Sequence, residues 1–387
     1  MLLSQPLRSC CFVGCLFALL ALHREASGQW RQAAGFNNSL GADQVNGFLS
    51  YGKYLLANAS CPSDQPGATG DSLFASTDDG LTWRDFAPDG GLPLIALGDP
   101  SAPILLGLAD TNPGTFSVVK WLEYSANLGH TWTPDTLGWP IPNGMPMTMI
   151  SAGGTVLIGT AVGVSRQTAP GAQWEPDTVG MSVGGMFTYP VTSLIASGTN
   201  IFASAGMMGG IFVSTNNGAS WSRSDTGLPK VNMGGWGSGW PQTSAFATSG
   251  NAVFALLAHD STNASYDIYR TTNTGQNWVR MNSTPLELSA FVPQLIASNQ
   301  QLFVESWDKG IFVSNDDGNA WSQANQGLPV AQTESATTAF HGDTASTQLN
   351  FSLGDVHFSG IHVSGGNLMI GFGNGVWVRK LSDFGIH

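Results

Sequence analysis

The 387-residue chain carries a formal net charge of −12, with 14 Lys and Arg against 26 Asp and Glu. No basic stripe of the kind that neutralises phosphates is present, which excludes a nucleic-acid partner and favours neutral or cationic ones. Only 10% of residues are charged, 10% are aromatic and 49 are Gly, which suits short strands and tight turns and excludes disorder and helices with charged faces.

At the N-terminus, Arg8 precedes an apolar run from Cys10 to Leu22, and Ala26, Ser27 and Gly28 follow. This pattern predicts a signal peptide over 1–28 and a mature domain over 29–387. The run is shorter than the ~20 residues that span a bilayer, which weighs against the alternative of a retained anchor. The mature chain is expected to be secreted (extracellular or periplasmic), monomeric and free of the membrane. Cys10, Cys11 and Cys15 lie in the leader, so Cys61 alone remains and no intrachain disulfide is expected.

The first strand pair leads into Ser76-Thr77-Asp78-Asp79-Gly80-Leu81-Thr82-Trp83. This reads as a hairpin turn with its own lock. Asp78 accepts hydrogen bonds from turn N–H groups, Gly80 supplies a positive φ, and Trp83 starts the return strand. The stretch recurs with Asn127 and Trp132, Asn216 and Trp221, Asn273 and Trp278, and Asp316 and Trp321. A degenerate copy keeps Gly171 and Trp174, with Ala169 in place of the carboxylate or amide. Each tryptophan is expected to bury ~150–250 Å², worth up to roughly 4–6 kcal/mol before entropy is counted.

Around each box lie four short runs. Residues 193–229 show SLIAS, NIFASA, GIFVS, the box and then WSRSDTGLP, and residues 293–329 repeat the grammar. Box glycines at 80, 129, 171, 218, 275 and 318 are spaced by 49, 42, 47, 57 and 43 residues, one four-stranded propeller blade each. Residues 355–379 supply three more strands, with no box after them. Gln29-Trp30-Arg31-Gln32-Ala33 matches Ala320-Trp321-Ser322-Gln323-Ala324. The expected fold is therefore all-β: a single β-propeller, most simply of seven blades, closed by residues 29–36 completing the last one. Six blades with an extra sheet, or eight blades, are the alternatives. Closure would also cover two exposed edges.

The five good boxes and the degenerate one resemble the Asp-box (BNR) repeat family of sialidases, sortilin-type receptors and tandem-propeller xyloglucanases. The resemblance spans nearly the whole mature chain. It implies a propeller whose ligands sit on the face opposite the boxes, and leaves the function open. The implied sialidase activity needs an Arg-Ile-Pro segment and an arginine triad for a carboxylate. No Arg-Ile-Pro occurs. Of seven mature arginines, Arg31, Arg84, Arg223 and Arg280 follow a corner tryptophan into outer strands, leaving Arg166, Arg270 and Arg379. A tandem-propeller xyloglucanase would need about twice the length.

The loops of the opposite face carry Trp139, then Met186, Phe187 and Tyr189, then Met207 and Met208, then Met233, Trp236 and Trp240. An exposed aromatic patch marks binding, whereas the same side chains folded inward would cap the central channel. Carboxylates on this face are fewer: Glu305 and Asp308 flanking Trp307, Asp260 beside His259, and Glu334 and Asp343 near His341. Glycoside hydrolysis needs two of them across a cleft, roughly 5–9.5 Å apart. No nucleophile elbow, phosphate loop or metal-ligand spacing occurs, so no cofactor and no metal is expected. The leading expectation is a non-catalytic module binding a glycan or extracellular protein through Trp139, Tyr189, Trp236, Trp240 and Trp307. The alternatives are a glycoside hydrolase or lyase using Glu305, Asp308 or Asp260, and a structural or assembly-factor propeller.

Overall fold

The computed structural model describes residues 29–385 apart from 36–43, 52, 61–70, 88–91, 98–103, 111–119, 128–130, 132, 140–145, 170, 184–186, 207–208, 233–237, 259–265, 282–293, 299, 307–309, 329–331, 334–349, 352–357 and 373–374. The leader lies outside them, as do Trp132, Trp236, Asp260, Trp307 and Asp308.

The architecture is an all-β propeller. Among the described residues the chain forms seven four-stranded antiparallel sheets, each a meander in sequence order except the last. They span residues 44–87 (sheet I), 92–134 (II), 146–176 (III), 191–223 (IV), 243–280 (V) and 294–323 (VI). Sheet VII joins Phe358–Ser364, Asn367–Phe372 and Gly375–Lys380 to Arg31–Gln32. There Arg31 pairs with Val378 and Gln32 with Trp377. The innermost strands neighbour one another in cyclic order, and those of sheets VII and I also touch, so the ring is closed.

Sheet IV shows why these residues take this form. In its second strand, Asn200–Ala205, every residue after Asn200 is buried. A neighbouring sheet covers each face, so the run reads NIFASA rather than alternating. The outer strand Ser222–Arg223 is exposed and only two residues long, which gives little edge for another chain to pair with. Apolar clusters fill the gaps between sheets. One joins Phe202 and Ile211 of sheet IV to Val253 and Trp278 of sheet V. Another joins Phe303 and Ile311 of sheet VI to Ile361 and Ile370 of sheet VII.

The box corners lock themselves first. Ser214 Oγ accepts the Gly218 N–H at 2.9 Å, and Asn216 Oδ1 accepts the Ser220 N–H at 2.9 Å. Asn217 and Gly218 hold φ of 55° and 89°, and a Cβ on Gly218 would collide with Leu157 of the preceding sheet. Asp78, Asn127, Asn273 and Asp316 hold the N–H four residues on in the same way. At the degenerate corner Gln167 stands where the serine would. Its amide reaches the Ala172 carbonyl and the Asp135 carboxylate of sheet II.

The corners are then stitched to the sheet before them. The indole N–H of Trp174 donates to the Asp135 carbonyl, that of Trp221 to Asp177 and that of Trp278 to Ser224, at 3.1, 2.9 and 2.8 Å. Each acceptor lies three residues past the preceding corner tryptophan. Trp30 obeys the same rule, donating to the Ala324 carbonyl of sheet VI at 2.6 Å. Trp83 and Trp321 depart from it and bond Gly80 and Gly318 of their own corners.

A corner carboxylate should therefore matter through its acceptors. Asp78 takes hydrogen bonds from Ser76 Oγ, the Thr82 N–H and Thr82 Oγ1. Asp78→Ala should lower stability by about 1–3 kcal/mol, read as a shift of the urea midpoint. Asp78→Asn should be nearly neutral, because Asn216 keeps the same turn by donating its Nδ2 to Ser220 Oγ.

Candidate functional site

The first-to-second strand turns share a face with the boxes. Ser364 and Asn367, flanking one such turn in sheet VII, hydrogen-bond Asp79 in the box of sheet I. Gly153, in the equivalent turn of sheet III, packs on Asn217 of the next box. Antiparallel alternation puts the second-to-third turns and the connections between sheets on the other face. Among the described residues, three extra hairpins are built into those connections: Ser182–Val183 with Phe187–Thr188, Val231–Asn232 with Ser238–Gly239, and Gln332–Thr333 with Asn350–Phe351.

Three of the sequence-predicted binding residues are described, on three successive connections. Trp139, between sheets II and III, is half-buried and packs edge-on against Trp174 at 5.3 Å between centroids. Its backbone N–H donates to the Thr136 carbonyl. Tyr189, between sheets III and IV, is half-buried against the sheet III–IV core beside Gly209. Trp240, between sheets IV and V, is half-buried and closes the second added hairpin.

The surroundings of Trp240 were not legible beforehand. The Arg223 guanidinium lies over its ring at 4.5 Å and the Lys230 ammonium at 4.9 Å from the centroid. Arg223 also pairs with Asp225 Oδ2 at 2.8 Å and donates to the Gly209 carbonyl. Asp225 accepts the Ile211 N–H, and burial pushes its carboxyl up from the usual range against the pull of Arg223. Arg223 and Lys230 are exposed. The result is an aromatic ring flanked by two solvent-reaching cations and one half-buried carboxylate. Sequence reading placed Arg223 on the outer strand, which is correct, but its reach to a residue 17 positions on depends on the fold of the connection.

Glu305 does not stand on this open face. It lies in Gln301–Ser306, the second strand of sheet VI, and is 4% exposed. Its carboxyl accepts the Gly360 N–H of sheet VII, and burial raises its pKa to about 8. A side chain sealed between two sheets cannot reach a glycosidic bond, so as a catalytic candidate Glu305 is corrected to a buried packing residue. The other candidate carboxylates, Asp260 and Asp308, lie outside the described residues, as do Trp236 and Trp307. Among the described residues no group of three His, Cys, Asp or Glu side chains could hold a metal ion, and no helix is long and apolar enough to cross a membrane.

No protein-family model and no curated protein matches the chain. Solved structures do, at the level of fold. YCF48 from Cyanidioschyzon merolae is 11% identical, with a TM-score of 0.54 over 91% of this chain and 98% of that one. YCF48 bound to D1 peptide is 12% identical, with a TM-score of 0.51 over 91% and 94%. The GH74 enzyme of Niastella koreensis is 15% identical, with a TM-score of 0.50 over 84% of this chain and 50% of that one. At such identities the likeness is one of propeller fold.

Proposed function

We propose that this chain is a secreted, seven-bladed, non-catalytic recognition propeller. Its ligand is a protein segment that carries a carboxylate, held on the face opposite the boxes. The observation behind this reading is Trp240 with Arg223 and Lys230 over its ring, next to Tyr189 and Trp139 on successive connections. Sugars stack on bare aromatic faces, and this ring already has cations against it. An acidic side chain can instead meet Lys230 and the exposed part of Arg223 while apolar neighbours lie along the ring edge. The seven sheets and their cyclic contacts support the blade number. The propellers with similar folds include one bound to a peptide and one glycoside hydrolase family member, so the fold accommodates either ligand class.

The test is a peptide array of acidic, neutral and basic sequences run beside a glycan array and a polysaccharide hydrolysis screen. Acidic peptides should bind, and Trp240→Ala should weaken them by roughly 30-fold or more, as expected of an interface anchor, with the near-UV spectrum otherwise unchanged. Binding confined to glycans would replace the protein ligand by a sugar. Turnover of a polysaccharide would replace the whole reading by the hydrolase one.

A further inference from the structure

In sheets I to VI a box corner joins the third strand to the fourth. Sheet VII takes its fourth strand from Arg31–Gln32, so no covalent corner follows Gly375–Lys380. A single 3-10 turn, Leu381–Phe384, follows instead and ends at Gly385 with φ 86°. We propose that this turn is a non-covalent corner, and that Phe384 is the pin that locks the N-terminal strand into the ring.

The register carries the argument. Ser214 faces Ile201 in sheet IV, Gln167 faces Val156 in sheet III, and Arg379 faces Leu368 in sheet VII. Arg379 therefore occupies the position of the box serine. It does what Gln167 does at the degenerate corner. Gln167 bridges its own turn to Asp135, three residues past the preceding tryptophan. Arg379 bridges its own turn, through the Asp383 carbonyl, to the Ala324 carbonyl, the matching residue of sheet VI. That same carbonyl receives the Trp30 indole.

Packing completes the parallel. At three of the boxes the glycine rests on the third residue of the neighbouring second strand: Gly80 on Met369, Gly218 on Leu157 and Gly275 on Phe202. The corresponding residue of sheet VI is Phe303. Phe384 meets it edge-on at 5.2 Å, and meets Trp30 edge-on at 6.2 Å. The Arg379 guanidinium stacks over the Phe384 ring at 4.2 Å. Asn315 Nδ2, in the box of sheet VI, donates to the Phe384 carbonyl at 2.8 Å. One aromatic side chain thus touches the strand that closes the ring, the sheet before it and the cation at the serine position.

Hydrogen exchange on the full chain tests this. Phe384→Ala should speed exchange of the Trp30 and Ala33 amides, which donate to Gln326 and Val376, at least tenfold relative to amides in sheet IV. Phe254→Ala removes the same side chain from the sheet V–VI core and should leave that ratio unchanged. Phe384→Leu keeps a smaller apolar pin and should fall between wild type and alanine, which keeps the idea testable if the alanine variant does not fold. Equal effects of Phe384→Ala and Phe254→Ala on the Trp30 and Ala33 amides would overturn the pin. So would unchanged exchange in both Phe384 variants.

Discussion

Trp278→Ala should lower the free energy of unfolding by about 3–5 kcal/mol. Trp278 is 2% exposed. Its ring meets Phe202 edge-on at 6.0 Å, and its indole N–H reaches both the carbonyl and the hydroxyl of Ser224. Truncation opens a cavity between sheets IV and V and removes the donor that both oxygens use. Trp321 provides the contrast. It is half-buried and bonds Gly318 of its own corner at 3.2 Å. With less area and its indole N–H spent within its own corner, Trp321→Ala should cost about half as much. Urea unfolding of both variants at one pH decides the matter, and equal losses would refute the view that cross-sheet anchoring sets the energy.

The second large effect is one of pH. Between about pH 6.5 and 8 the protein should lose stability as pH rises, because of Glu305. Its carboxyl is buried between sheets VI and VII and its pKa is raised to about 8. In the folded protein it stays protonated across this window. In the unfolded chain it ionises above the ordinary value of 4.5. The folded state therefore holds the extra proton, and raising the pH favours unfolding until the folded group also ionises. A shift of this size corresponds to at most ~5 kcal/mol. Glu305→Gln keeps the shape without the proton and should flatten the slope of midpoint against pH. His362 acts in the opposite direction below pH 6.5, where the two windows overlap. Burial lowers its pKa to about 4, so its contribution is present above 6.5 and lost as pH falls through 4, in wild type and variant alike. Identical slopes above pH 6.5 for wild type and Glu305→Gln would show that another group is responsible. The same variant should leave binding at the Trp240 face unaffected.

These effects divide between what is local and what is not. The lock of each corner was readable because all its parts lie within seven residues: Ser214, Asn216, Gly218 and Ser220 bond among themselves or set their own φ. The closing strand was readable because Trp30 sits in a copy of the segment around Trp321. Glu305 misled, because a carboxylate two residues from Trp307 looks like part of an open loop. Only the bulged first strand of the next sheet, which brings Gly360 against it, reveals that it is sealed.

The amino-acid order by itself determined the all-β class, the four-strand grammar and the positions of the corners, because strand propensity and turn hydrogen bonds act over a few residues. The tertiary structure alone decided which carbonyls receive the indoles from 39 to 54 residues away, which cations cover Trp240, and how Phe384 fills a corner without a box. Those contacts arise where two separately formed sheets meet, and a shape made by two surfaces is not written in either strand.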